Sequence, residues 1–173
     1  IAKPDRCERS LYALAKHPEI DMLGAYIDEF DSQTGEVIAT KKTPLTNKEI
    51  HKYARRRNPF NNQTLVYKKS RALSGYSNIK RCEDYEFVVK MLADGARGVN
   101  LDKTLVMYRV TANNYERRRN WANTKSFVNV RWKIFRMGYS NLWDFIVPCT
   151  FQFFIFIMPK SLTGKIYKRF LRG

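Results

Sequence analysis

The chain has 173 residues, a mass of 20.4 kDa and a formal net charge of +16, from 32 Lys and Arg against 16 Asp and Glu. Its 44% hydrophobic content excludes a disordered polyelectrolyte and is enough to fill a core. The excess of bases predicts a polyanionic partner: nucleic acid, an acidic membrane surface or a phosphorylated small molecule.

Read in order, the pattern alternates helices and strands. Pro4 suits a first helical turn, and Leu11, Leu14 and Ala15 supply a 3/4-spaced face that stops near His17-Pro18. The run 22–27 reads as a largely buried strand. Gln33-Thr34-Gly35 reads as a turn, and Val37-Ile38-Ala39 as a second short strand. Thr46-Asn47-Lys48-Glu49 is a capping box that opens a helix towards Arg57, ended by Asn58-Pro59. Thr64 to Tyr67 reads as a strand, followed by a short turn of helix. Glu83-Asp84-Tyr85 begins a strong helix with Phe87, Val88, Met91 and Leu92 on one face and Gly95 as its stop. Residues 99–101 and 104–110 read as two short strands, and after Asn114 the pattern turns helical and basic. Strands interleaved with helices predict an α/β fold.

Charge is unevenly placed. Residues 1–50 hold 9 acids and 7 bases (net −2), and residues 51–173 hold 7 acids and 25 bases (net +18). Cys7, Cys82 and Cys149 are far apart, as are His17 and His51, so neither a zinc site nor a disulfide framework is expected and a reducing compartment fits best. The chain opens on Ile1 with no signal-peptide pattern.

Residues 145–158 are a 14-residue apolar block with Pro148 and Gln152 inside it and Asp144 just before it. A spanning helix needs about 20 apolar residues, so a simple span is disfavoured. Beyond it Lys160, Lys165, Lys168, Arg169 and Arg172 stand without an acid, while Leu162, Ile166, Tyr167, Phe170 and Leu171 share one helical stripe. Two readings fit: a segment at the surface of an anionic bilayer, and a core helix with a solvated basic tail. Trp121, Trp132 and Trp143 are eleven residues apart and would share a stripe if the helix were continuous.

From Lys3 to about Arg119 the order of motifs resembles the back half of a bacterial family 2 glycosyltransferase. The motifs are Lys3-Pro4-Asp5-Arg6, His17-Pro18-Glu19-Ile20-Asp21, Asn58-Pro59-Phe60-Asn61, Gly75-Tyr76, Glu83-Asp84-Tyr85, Tyr108-Arg109-Val110 and Asn114-Tyr115-Glu116-Arg117-Arg118. The likeness is greatest to transferases that build capsular, exopolysaccharide or O-antigen chains. It implies a GT-A (Rossmann-like) α/β fold, with residues 1–112 as the acceptor-side half. Residues 113–173 would be a basic helical extension with a membrane-surface segment at 141–172. It also implies that the nucleotide-binding half, with the acidic motif that holds Mg2+ or Mn2+, would precede Ile1. No metal ligand is assigned in this chain, and little turnover is expected of it in isolation. The implied partners are a nucleotide-sugar donor, a lipid-linked saccharide acceptor and an anionic membrane at the cytoplasmic face of a bacterial cell, with no nucleic acid.

The chemistry sets the candidate residues. Inverting transfer needs a carboxylate to take the proton of the attacking hydroxyl, and cations or N–H groups to hold the leaving diphosphate. Asp84 matches the family's base, with Glu83 beside it on the substrate side; a helix-capping role is the alternative. Arg109, Arg117 and Arg118 match a diphosphate-binding cluster, the alternative for the arginine run being a solvated helix face. Asn61 and Asn62 match substrate contacts. At Asn62-Gln63-Thr64 the family usually carries His-Pro-Thr, and Ser74 stands where a second Gly is common. Asn62 hydrogen-bonds but carries no proton or charge. Two other classes compete: a non-catalytic membrane-bound remnant, and a basic nucleic-acid-binding protein supported by the +16 and by 24 aromatic residues interleaved with Arg.

Overall fold

Strand β1 (Met22–Asp31) organises the fold, and its first six residues are buried without a break. An uninterrupted apolar run of this kind is expected of a strand covered on both faces. A computed structural model describes residues 1–111 and 120–157. Among these residues β2 (Val37–Lys41) pairs antiparallel with Ile27–Phe30 of β1, and β3 (Val66–Tyr67) pairs antiparallel with Met22 and Leu23. β4 (Gly98–Val110) runs parallel along the whole of β1, from Met22↔Gly98 to Asp31↔Val110. Because β4 occupies one edge of β1 throughout, β2 and β3 share the other edge at its two ends. The sheet is therefore mixed, with one parallel and two antiparallel pairs, in a chain of the expected α/β class. Ala2 bridges Val106 on the outer side of β4, and the Lys3 N–H donates to the Leu105 carbonyl at 2.9 Å.

The two short strands expected at 99–101 and 104–110 are one strand. Asp102 and Lys103 interrupt the hydrophobic pattern, but the ladder absorbs them through register shifts at Ala25/Tyr26 and Tyr26/Ile27, with both side chains exposed. β1 also extends four residues past its expected end. The Thr64–Tyr67 strand is shorter than expected, because Asn62–Thr64 forms a 3-10 turn.

Helix α1 (Arg6–Lys16) forms where expected, but Asp5 is its cap and Pro4 stands just before it rather than in its first turn, and the expected Leu11-Leu14-Ala15 face does not pack inward: Leu11 and Ala15 are exposed and Leu14 is half-buried. Helix α2 (Asn47–Ala54) opens on the predicted capping box. Thr46 Oγ1 accepts from the Glu49 N–H at 3.3 Å, and Glu49 Oε2 accepts from the Thr46 N–H at 3.0 Å. Helix α3 (Glu83–Ala93) stops at Gly95, whose φ of +83° is left-handed and suits glycine. Phe87, Val88, Met91 and Leu92 are buried, as their spacing predicts, and join Met22, Ile50, Ala54 and Phe60 in one core. Gly24 of β1 lies against Asn100 and Phe60. A Cβ there would fall 2.1 Å from Asn100 Oδ1 and 2.6 Å from Phe60 Cδ1, so only glycine fits.

Helix α4 (Trp121–Arg136) is capped by Asn120, whose side chain accepts from the Asn123 N–H at 2.8 Å. Its Val130 and Ile134 complete the core. Gly138, at φ +73°, then turns the chain into α5 (Leu142–Ile157). The break puts Trp121 and Trp132 on α4 and Trp143 on α5, so the eleven-residue spacing does not make one stripe. α5 packs on α4 through Gln152 Nε2, which donates to Thr124 Oγ1 at 3.2 Å, and through Phe145 against Trp132 and Phe135, with ring centroids 5.6 and 5.9 Å apart. Among the described residues no helix is long and apolar enough to cross a membrane. The basic tail from Met158 onward lies outside the described residues.

The lone acid of α5 ties this helix to α2. Asp144 is 4% exposed and pairs with Arg55 Nη2 at 2.7 Å and Arg56 Nε at 2.6 Å. Burial alone would raise its pKa. The hydrogen bonds from Arg56 and the Asn141 N–H, with both guanidinium charges, more than offset burial and hold it below the usual carboxylate value. Asp21 and Glu86 are held low in the same way, by Arg97, Lys68 and Arg71 in one case and by Ser77, Lys90 and Lys133 in the other. A depressed folded pKa contributes stability that is complete above the unfolded value and is lost as pH falls through the folded one. Thermal unfolding followed by circular dichroism should therefore show a midpoint that is flat above about pH 5 and falls steeply below about pH 4. Asp144→Asn should lower the plateau and shallow the acid fall.

Candidate active site

The site forms where the loop after α2 meets the first turn of α3. Asn58 Oδ1 accepts from the Phe60 N–H at 3.1 Å, a local turn that fixes its amide. Phe60 is 2% exposed and anchors this loop in the core. The remaining side of Asn58 faces α3, where its Nδ2 donates to Asp84 Oδ2 at 3.2 Å. Asp84 Oδ1 accepts from the Tyr85 N–H at 2.9 Å. Asp84 thus satisfies one of the open donors of the first helical turn from inside the helix, the cap position being Cys82, while its half-buried carboxylate keeps lone pairs for a further donor. The N-terminal end of α3 favours negative charge there.

The residue before the motif is strained. Cys82 has φ +63° and ψ +18°, a left-handed conformation uncommon outside glycine, and no side chain caps α3 at this position. Strain of this kind persists only where its surroundings enforce it, and it concentrates at functional sites.

Tyr85 and Glu86 explain what holds the turn. The Tyr85 hydroxyl donates to the Ala54 carbonyl at 2.6 Å, joining the end of α2 to the start of α3. Burial drives its phenol far above the ordinary range, opposed by Arg131. The Arg131 guanidinium lies 5.5 Å from the Tyr85 ring and 4.4 Å from the Phe127 ring, and Nη2 donates to the Arg56 carbonyl. Arg131 is 4% exposed, and its Nε and Nη1 have no hydrogen-bond partner among the described residues. A buried cation is thereby stacked on the neighbour of Asp84. Glu86 is 2% exposed and bonded to Ser77, Lys90 and Lys133, the last two at 3.2 Å. Of the acids in this turn Glu86 is neutralised and enclosed, whereas Glu83 and Asp84 remain half-exposed. That difference separates a structural carboxylate from one that a substrate can reach.

The other predicted residues occupy distinct places. Asn61 is 1% exposed, and its Nδ2 donates to the Ala25 and Lys41 carbonyls at 3.0 and 3.3 Å, joining the loop to β1 and the end of β2. Its Oδ1 is buried without a partner among the described residues. Asn62 is exposed at the start of the 3-10 turn. Arg109 is exposed near the end of β4, opposite Phe30 in the ladder, with its guanidinium 5.7 Å from that ring. Arg117 and Arg118 lie outside the described residues. The structure thus brings Asn58 to Asp84, seats Asn61 beneath β1, and sets Arg109 on the sheet. Asn58, Tyr85 and Arg131 were not among the sequence candidates. The Asn58-Pro59 motif was the visible signal for the first; nothing local in sequence marks Arg131. Among the described residues no three His, Cys, Asp or Glu side chains converge to hold a metal ion, so the residues present do not make a cation site.

No protein-family model matches the chain. Nearly all of it is nevertheless similar in sequence to proteins named as glycosyltransferases. An uncharacterized glycosyltransferase of Haemophilus influenzae is 32% identical over 99% of the chain and 64% of its own length. The UDP-Gal:alpha-D-GlcNAc-diphosphoundecaprenol beta-1,3-galactosyltransferase of Escherichia coli is 30% identical over 99% of the chain and 63% of its own length. The amylovoran biosynthesis glycosyltransferase AmsE of Erwinia amylovora is 29% identical over 96% and 61%. The chain therefore spans a little under two thirds of the length of these curated relatives. The likeness does not favour the nucleic-acid-binding reading or the non-catalytic remnant.

Proposed function

We propose that this chain is the acceptor-side part of an inverting glycosyltransferase. It would move a sugar from a nucleotide-diphosphate donor to a lipid-linked saccharide hydroxyl in capsular, exopolysaccharide or O-antigen synthesis. The observation that carries the proposal is alignment with named glycosyltransferases over 96–99% of the chain. It is supported by a half-exposed carboxylate, Asp84, fixed by Asn58 at a helix N-terminus.

In the proposed mechanism Asp84 takes the proton of the acceptor hydroxyl as the hydroxyl oxygen attacks the anomeric carbon. The bond from that carbon to the donor diphosphate breaks, and the electron pair leaves with the diphosphate. Arg109, with Arg117 and Arg118, offers charge-assisted hydrogen bonds to phosphate oxygens. Glu83, Asn61 and Asn62 stand on the substrate side, Asn61 shaping the loop through its backbone contacts. The resemblance implies a divalent cation, Mg2+ or Mn2+, held outside the described residues, where it would neutralise the diphosphate. The division of labour is residues 1–112 for the acceptor side and 113–173 as a basic helical extension at the cytoplasmic face of the membrane. The 173-residue chain alone is expected to turn over little.

The stereochemistry of the product tests the reading. A single displacement assisted by one base inverts the anomeric centre. The anomeric proton coupling of the transferred sugar, measured by NMR with a protein completed to the relatives' length, should report the configuration opposite to the donor's. A retained configuration would overturn the role given to Asp84.

A further inference from the structure

A cleft of about 500 Å³ opens between α2 and the turn that joins α4 to α5, lined by His51, Lys52, Arg55, Tyr139, Ser140 and Asn141, with Gly138 in the turn. Nothing in the catalytic account uses it. α2 has two faces: Ile50 and Ala54 are buried, while Lys48, His51, Lys52 and Arg55 fall at i, i+3, i+4 and i+7 and run along the outer side. Among the described residues no acid lines the cleft. The acids nearest in sequence are both taken up: Glu49 accepts from the Leu45 and Thr46 N–H groups, and buried Asp144 pairs with Arg55 and Arg56.

The cleft walls are donors. Tyr139 is pushed up to about 12 by burial, opposed by Arg55, so its hydroxyl keeps its proton. The hydroxyl lies 2.9 Å from His51 Nδ1. When Tyr139 donates to Nδ1, the neutral imidazole carries its proton on Nε2 and is a donor itself. The Lys52 ammonium, the Arg55 guanidinium and the Ser140 hydroxyl add to the set. An open, donor-rich cleft of this size, with no acid among its lining residues, accommodates a phosphate with part of what it esterifies.

Its surroundings indicate the carrier. Immediately after Asn141 the first turns of α5 expose Leu142 (54%), Trp143 (68%), Ile146 (39%) and Val147 (48%). α5 carries no base, and its one acid is turned inward and neutralised, so its outward face is apolar without negative charge. A Trp and apolar side chains that follow directly in the chain on the lining residues of a basic cleft match the depth profile of a bilayer, headgroup phosphate outermost.

We propose that this cleft binds the phosphate of an anionic phospholipid headgroup, with Lys52 and His51 as its principal donors, and that it seats the exposed start of α5 in the membrane surface. The proposal rests on the membrane reading of the C-terminal part and assigns it a specific site.

The test is co-sedimentation of the full chain with phosphatidylcholine vesicles containing phosphatidylglycerol. Wild type binds, and Trp143→Ser weakens binding by removing the apolar contact. Lys52→Glu reverses an exposed charge on the outer side of α2 and lowers the partition coefficient at least about tenfold. Lys16→Glu, the same charge change on α1, lowers it less than about threefold. Equal losses for Lys52→Glu and Lys16→Glu would overturn the cleft as a site while leaving membrane binding intact. Failure of wild type to bind would overturn the membrane reading and the proposal with it. Inorganic phosphate at constant ionic strength should not displace wild type; full displacement would make the cleft a free-phosphate site and overturn the lipid assignment. Circular dichroism of each variant excludes unfolding as the cause of a loss.

Discussion

Asp84→Asn lowers the rate of sugar transfer by about 10²–10⁴-fold in a protein completed to the length of the relatives. The range is that of a positioned general base. The substitution is close to isosteric, and its remaining carbonyl oxygen still accepts either the Tyr85 N–H or the Asn58 amide, so α3 should keep its start. What is lost is the second carboxylate oxygen and the ability to accept a proton. The loss should fall on kcat, with the donor KM changed little, because the proton moves only as the bond to the acceptor forms. Thermal unfolding should be nearly unchanged. Glu86→Gln makes the contrasting case. Glu86 is enclosed by Lys90, Lys133 and Ser77, so its neutralisation costs stability first and rate second.

Phe87→Ala destabilises the domain by about 4 kcal/mol, or ~10 °C in melting temperature, the largest stability effect expected of a single truncation here. Phe87 is 2% exposed, stacks on Tyr76 with centroids 4.2 Å apart and planes 15° apart, and meets Tyr67 edge-on at 5.2 Å. Each such ring pair is worth about 1 kcal/mol beyond area burial. Gly75, at φ +58°, turns the chain so that Tyr76 reaches Phe87, which gives the Gly75-Tyr76 motif a structural purpose. Phe87 lies one turn after Asp84 on α3. Its truncation should therefore loosen the segment before Cys82 and the base together. Phe87→Leu, which refills most of the volume, should recover more than half of the loss by thermal unfolding.

The legible part of the molecule was the part governed by short-range rules. The Thr46–Glu49 capping box, the buried face of α3 and the Gly95 stop each depend on residues within one or two turns, and each stands as read. The helix at Glu83-Asp84-Tyr85 was legible both from its pattern and from the resemblance. What escaped depended on partners far along the chain. β4 was split at Asp102-Lys103, because charged residues look like a loop until a parallel neighbour absorbs them as a register shift. The α1 face looked amphipathic, yet its Leu11 and Ala15 are exposed. Asn61 was legible only as part of a motif, and the bonds of its amide nitrogen to two strand carbonyls reach residues 36 and 20 positions away. Asn58 was quoted as part of a motif, but its bond to Asp84 spans 26 residues of sequence. Arg131 stacks on Tyr85 from another helix altogether, and only the folded chain reveals it.

The +16 also gains structure. Arg55 and Arg56 are paired with Asp144, Lys133 and Lys90 with Glu86, and Lys68 and Arg71 with Asp21. Part of the excess thus holds the fold, while Lys52 stands exposed on the outer side of α2.

The central claim is that this chain supplies the acceptor side and the base of a glycosyl transfer reaction, and transfer itself tests it most directly. The protein, completed to the relatives' length, is incubated with a panel of labelled nucleotide-diphosphate sugars and a lipid-linked saccharide diphosphate, and label in the extracted lipid is counted. The expected result is incorporation from one donor, dependent on the lipid-linked acceptor and lost in Asp84→Asn. Incorporation that survives Asp84→Asn at a near-normal rate, or none from any donor with a folded protein, would contradict it.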